Sequence, residues 1–218
     1  MSAVSRRLPS MTARPDLDIE DLRRTIVDGL QRTVDGLAGG YAAPLRHQLR
    51  AEGDVYTAAV LCLGFGCIGG EETKTLPCAL TLGLLEEMGR VFLGLEDGSS
   101  IVEAWGVPRT LNAADGLYAL GRQILLSEEA LDSASRLTAL AIYTDAARDF
   151  SDALHARAPE GEGALQKAVQ SLYPAAAAYA ALCCGFDDAL KAEFEAAAQS
   201  ETVEAAVVKA AALPLRKP

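Results

Sequence analysis

Hydrophobic positions return every three or four residues along most of the chain, and no stretch of useful length alternates as a strand would. Leu22, Ile26, Val27, Leu30, Val34 and Leu37 mark one face of a first helix, with Asp16 or Asp18 placed to cap it and Gly39-Gly40 to end it. A second helix is expected over 44–50. The third holds Tyr56, Val60, Leu61, Leu63, Phe65 and Ile68 with little polar surface, so it is expected at the centre, closed by Gly69-Gly70. A fourth is expected from Leu76-Pro77 to about Leu95, with the proline in its first turn, followed by a loop over 96–100. Pro108 then opens a fifth helix reaching about Leu126. Ser127-Glu128-Glu129 is the expected cap of a sixth, and one or two helices fill the span to Arg157. After a break over 159–163, helices are expected over 164–184, 187–198 and 201–213.

Nine or ten helices joined by short links read as one all-α domain over 16–213, preceded by a flexible N-terminal tail, 1–15, in which Pro9 and Pro15 block an early helix. Half of the 218 residues are hydrophobic and 23% are charged, a globular balance. The net charge of -10 repels phosphate backbones and anionic lipid, so neither nucleic acid nor a membrane surface is an expected partner. Arg6, Arg7 and Arg14 precede no apolar core of a secretory signal, and the apolar run at 55–68 is too short to span a bilayer; a cytoplasmic protein, not an integral membrane one, is expected. The odd number of cysteines (Cys62, Cys67, Cys78, Cys183 and Cys184) suits a reducing compartment, and all five sit among apolar residues. They are expected to be buried small hydrophobes, since no spacing suits zinc and no charged neighbour in sequence activates Cys183-Cys184.

The remaining polar candidates have ordinary readings. His47 and His155 are expected at the surface. Glu87 and Arg90 have the spacing of a surface ion pair on one helix. Asp187-Asp188 suits the capping of a helix N-terminus, and Gly64-Phe65-Gly66 lies inside an apolar helix instead of a phosphate loop. Asp145 and Asp149 lie one turn apart.

One stretch is specific. In 101–120, Trp105, Gly106, Val107 and Pro108 form a turn leading into a helix with Asn112, Ala113, Asp115 and Leu117. That order and spacing resembles the segment following the first aspartate-rich motif of the trans-prenyl diphosphate synthase (polyprenyl synthetase) family. Similarity is weaker through 58–85 and 164–185. The resemblance implies an isoprenoid synthase-type helical bundle around a central cavity, here shortened at the C-terminus. It also implies a chemistry in which magnesium, held by two aspartate-rich motifs, and basic side chains carry the charge of a departing diphosphate.

The residues that would carry this chemistry are largely missing. The first basic motif falls on 52–58, where only Gly53 matches and Asp54 stands in the place of a lysine. The first aspartate motif falls on Leu93, Gly94 and Asp97, or in a shifted register on Glu96 and Asp97. The family's Lys-Thr pair has no clear equivalent near Lys167, and the second aspartate region offers Glu201 and Glu204. Asp149 stands where the family lines its cavity; it is either a relic of that lining or a solvated carboxylate. No catalytic residue is therefore assigned, and Glu96 and Asp97 are the candidate metal ligands.

The resemblance then implies a non-catalytic, regulatory or stabilising subunit of a heteromeric prenyl diphosphate synthase in isoprenoid biosynthesis. Its partner would be a catalytic synthase chain or a second copy, an isoprenoid its ligand, and no cofactor is expected of this chain itself. The alternative is a terpene synthase or cyclase that holds Mg2+ through Glu96, Asp97, Glu201 and Glu204. A third reading is a binder of an apolar small molecule.

Overall fold

The structure, a computed structural model, describes residues 17–38, 42–51, 56–98, 100–156, 162–200 and 202–215. Ten α-helices and no strands occur among them, as an all-α chain requires. They are α1 (Ile19–Asp35), α2 (Ala42–Ala51), α3 (Thr57–Gly69), α4 (Glu72–Asp97), α5 (Ser100–Ser127), α6 (Ser133–His155), α7 (Glu162–Gln170), α8 (Tyr173–Cys184), α9 (Asp188–Ala198) and α10 (Val203–Ala211). The expected tail, 1–15, and the expected stop at Gly39-Gly40 lie outside the described residues.

Helix α3 is central. Every residue from Ala58 to Gly69 is buried, with α1, α4, α8 and α10 packed around it. Its own side chains leave no polar face, so burial on all sides is the arrangement that removes its surface from water. The left-handed Gly70 (φ 76°) ends it, returning its N–H to Cys67 and letting α4 fold back at once. Gly66 has no room for a Cβ, because Thr75 in the first turns of α4 occupies that space. Thr75 in turn donates to the Glu71 carbonyl at 2.8 Å. This close seat explains why α4 begins at Glu72 instead of Leu76 and leaves Pro77 inside the helix, beyond the first turn where the sequence reading put it.

Other boundaries move for local reasons. The span expected as a loop, 96–100, is mostly helix: Glu96 and Asp97 form the last turn of α4, Gly98 reverses the chain at φ 73°, and α5 starts at Ser100. Helix α5 is broken at Gly106 (φ 73°, ψ 158°), so Pro108 does open a helical segment, but a helical stretch from Ser100 precedes it. Helix α6 is one uninterrupted helix capped by Asp132, whose carboxylate accepts from the Ser135 N–H at 2.7 Å. The expected cap, Ser127, instead closes α5 by donating to the carbonyls of Gln123 and Ile124. The single helix expected over 164–184 is two, α7 and α8. Pro174 has no N–H for the Gln170 carbonyl and its ring crowds that position, so the chain turns at Ser171-Leu172 and restarts with the proline in the first turn of α8.

Inside the bundle, large aromatics fill the space between helices. Tyr143, Phe150 and Tyr179 are fully buried. Tyr143 donates to the Tyr118 carbonyl (3.1 Å) and Tyr179 to the Ala139 carbonyl (3.2 Å), so each hydroxyl is satisfied where it is buried.

Candidate functional site

The residues that the sequence marks for metal or diphosphate chemistry are spread along the outside of the bundle. Glu96, in the last turn of α4, is exposed; the side chain of Asp97 lies outside the described residues. In the register that would replace two aspartates, Leu93 is half-buried and Gly94 buried, both on α4. Asn112, Asp115 and Pro108 are exposed on α5, while Trp105 is half-buried with its indole N–H shielded from solvent and unpaired. Asp149 is exposed on α6 and is held by the Arg148 guanidinium at 2.9 Å, which also reaches Asp145. Lys167 and Glu204 are exposed, on α7 and α10, and Glu201 lies outside the described residues. Asp187 caps α9, accepting from the Leu190 N–H at 2.8 Å, as its place after Gly185 predicts. Among the described residues, no three His, Cys, Asp or Glu side chains come together as metal ligands.

Glu87, expected in a surface ion pair, and its neighbour Glu86 are instead the most deeply buried acids among the described residues. Glu86 and Glu87, adjacent on α4, have no exposed surface. Helix α3 begins without a side-chain cap of its own, and the Glu86 carboxylate supplies one from across the interface. It accepts from the N–H groups of Thr57 (3.1 Å), Ala58 (2.9 Å) and Ala59 (3.4 Å). Those are the donors that a helix start leaves unsatisfied, and the helix dipole favours a negative group there. Burial nonetheless dominates. Desolvation pushes the Glu86 carboxyl up to about 7, against the opposing effects of Arg90 and of the three backbone donors.

Glu87 points to the other side of the same seam. It accepts from the Tyr56 hydroxyl at 2.6 Å and from Arg90 at 2.6 Å. The Arg90 guanidinium also lies over the Tyr56 ring, 5.0 Å from its centroid. Burial and the neighbouring Glu87 carboxylate push the Tyr56 hydroxyl well above its ordinary value, so it remains a donor. The Glu87–Arg90 pair was expected at the surface; its acid is fully buried and its arginine 13% exposed. A sequence signal for this existed. The two acids interrupt an otherwise apolar helix, flanked by Leu84, Leu85, Met88 and Val91, all of them buried. His47 departs from expectation in the same way: it is half-buried on α2, with one ring nitrogen shielded and unpaired. His155 is exposed, as expected, and all five cysteines are buried.

The outer face of α5 has the opposite character. Val107, Leu111, Asp115, Tyr118, Arg122 and Leu126 recur at helical spacing along one stripe. Val107, Leu111 and Leu126 are 49%, 41% and 52% exposed. Tyr118, Arg122 and Leu126 border a shallow groove of about 480 Å³. Arg136 of α6 reaches the Leu126 carbonyl at 3.3 Å, and the next residue of α6, Leu137, is exposed.

No protein-family model and no curated protein sequence matches this chain. Solved structures do match. The geranylgeranyl pyrophosphate synthetase of the archaeon Geoglobus acetivorans superposes with a TM-score of 0.67 at 17% identity, over 82% of this chain and 65% of that one. A second geranylgeranyl pyrophosphate synthase superposes with a TM-score of 0.67 at 13% identity, over 84% of this chain and 61% of the other. The chain thus spans less than two thirds of the length of either. Identity this low speaks for the fold alone, and the fold is the all-α isoprenoid synthase fold. No helix among the described residues is long and apolar enough to cross a membrane.

Proposed function

We propose that this chain is a non-catalytic member of the prenyl diphosphate synthase fold that works by associating with a catalytic synthase chain. The placement of its acids carries the reading. Ionising an allylic diphosphate requires carboxylates that converge on metal ions. Here Glu86 and Glu87 are committed to a helix start, a tyrosine and an arginine, while Glu96, Asp115, Asp149 and Glu204 are dispersed and exposed. The exposed apolar residues of α5, and Leu137 of α6, support the second half of the reading, since they offer a partner contact surface that the monomer leaves wet.

Two measurements test this. Incubated alone with Mg2+ and geranyl or farnesyl diphosphate, the purified chain is expected to release no pyrophosphate above a protein-free control. Mixed with a catalytic prenyl diphosphate synthase from the same genome, it is expected to co-elute and shift the product chain length. Pyrophosphate release by the chain alone, lost on Glu96→Gln, would replace this reading with a terpene synthase.

A further inference from the structure

The cysteines gather in one place that the proposed function does not use. Cys62 and Cys67 come from α3, Cys78 from α4, and Cys183 and Cys184 from the end of α8, and all are buried where these three helices meet. Cys78 and Cys183, 105 positions apart in sequence, bring their sulfurs to 3.9 Å. That is thiol–thiol contact, short of a bond but within reach of side-chain rotation toward the usual S–S length of about 2.05 Å. Cys184 is directed elsewhere, its sulfur 3.9 Å from the Gly66 carbonyl.

We propose that Cys78 and Cys183 form a peroxide-oxidised disulfide that fastens α4 to α8.

The two thiols are unequal in a way that assigns their roles. Contact with Cys78, with help from Thr75 and the Lys74 charge, holds the Cys183 thiol below its ordinary value against burial and the Glu71 carboxylate, while Cys78 itself is pushed well above; the Cys183 sulfur also lies 3.5 Å from the Lys74 carbonyl. Lys74 and Glu71, of opposite sign and distant in sequence, both act on Cys183 from the first turn of α4 and the residue before it. Cys183 is also the less enclosed, 6% exposed against none for Cys78. It is the attacking thiolate and Cys78 the resolving thiol. In the first step the Cys183 thiolate displaces hydroxide from hydrogen peroxide, forming an S–O bond as the O–O bond breaks. In the second, the Cys78 sulfur attacks the sulfenic sulfur, an S–S bond forms, and the departing oxygen leaves as water with the thiol proton. Overall, two thiols and one hydrogen peroxide give a disulfide and two waters. An oxidant little larger than water suits a sulfur this nearly enclosed.

The test treats the full chain in its native state with hydrogen peroxide, alkylates the remaining thiols, and maps the digest by mass spectrometry without reduction. The expected result is loss of two of the five thiols, a single Cys78–Cys183 linked peptide, recovery of both thiols with dithiothreitol, and a higher urea midpoint for the oxidised chain. Cys78→Ser is expected to stop the cross-link and leave Cys183 trapped as sulfenic or sulfinic acid. A link through Cys62 or Cys184, over-oxidation of Cys183 in the unaltered chain, or five surviving thiols would each overturn the proposal. Because the principal map uses the unaltered chain, a variant that fails to fold does not blunt it. The outcome is independent of whether the chain partners a synthase.

Discussion

The α3–α4 seam and the outer face of α5 invert the usual placement of residues. The seam buries two carboxylates and a guanidinium, while the face exposes Val107, Leu111 and Leu126. In the seam every charge has a nearby counterpart: backbone N–H groups for Glu86, Tyr56 and Arg90 for Glu87. On the face the apolar groups stand half in water. The difference separates architecture from association. A buried ion pair is held in place by the groups around it and is costly to break, whereas an exposed apolar stripe has its area still to bury. Glu86 and Glu87 thus join helices, and the outer face of α5 sets Val107, Leu111 and Leu126 beside Asp115 and Arg122 on a surface open to another molecule.

The sharpest way to break the comparison is to remove one partner from the seam. Arg90→Leu takes from Glu87 its ion-pair partner at 2.6 Å and strips the Tyr56 ring of its guanidinium. Loss of one member of a buried pair costs about 3–5 kcal/mol, to be read as a fall in the urea midpoint. An unchanged midpoint would mean that the seam is solvated in solution and that its acids are available for other work.

Glu86 gives the seam a pH signature that the outer face lacks. Its carboxyl is raised from 4.5 to about 7, so between these values the folded chain holds a proton that the unfolded chain has released. The stability from this group is complete below pH 4.5 and is lost as pH rises through about 7. The slope approaches about 1.4 kcal/mol per pH unit within that window. A series of urea midpoints from pH 4.5 to 8 is expected to show that decline, and Glu86→Gln to flatten it by the contribution of one proton. Identical pH slopes for the two proteins would show that Glu86 already ionises normally.

What was readable in the sequence was what is decided locally. Asp18 and Asp187 cap helices because a carboxylate one or two positions before an apolar-periodic run meets the free N–H groups it needs. Gly70 and Gly185 end helices because only glycine takes the left-handed turn easily. The seam was not readable in this way. Glu87–Arg90 has the same three-residue spacing as the exposed Arg24–Asp21 pair of α1, and the spacing is silent about depth. Depth is set by Tyr56, which lies 31 positions earlier, and by the α3 start that Glu86 caps. The turn at Trp105-Gly106-Val107-Pro108 was visible as a motif, yet the helix before it was not, because nothing in 96–100 signals that the break is only two residues wide. A local cap offers a calibration between the extremes: Asp187→Ala removes one bond to the Leu190 N–H and is expected to cost about 1 kcal/mol, well below the loss at Arg90.

The smallest expected change in stability is at the outer face, and there it is informative because it is small. Leu126 and Leu137 are 52% and 65% exposed, so replacing both with serine removes little that folding buried. The urea midpoint is expected to move by no more than about 0.5 kcal/mol equivalent. Association should respond in the opposite proportion. If the α5 stripe is a contact surface, the double variant no longer co-elutes with a catalytic synthase chain, or no longer self-associates in light scattering if the partner is a second copy, while its circular dichroism and melting curve stay unchanged. Loss of stability without loss of association would place these leucines in the fold and move the contact elsewhere. Loss of association alone would fix the division between a seam that holds the helices together and a face that meets a partner.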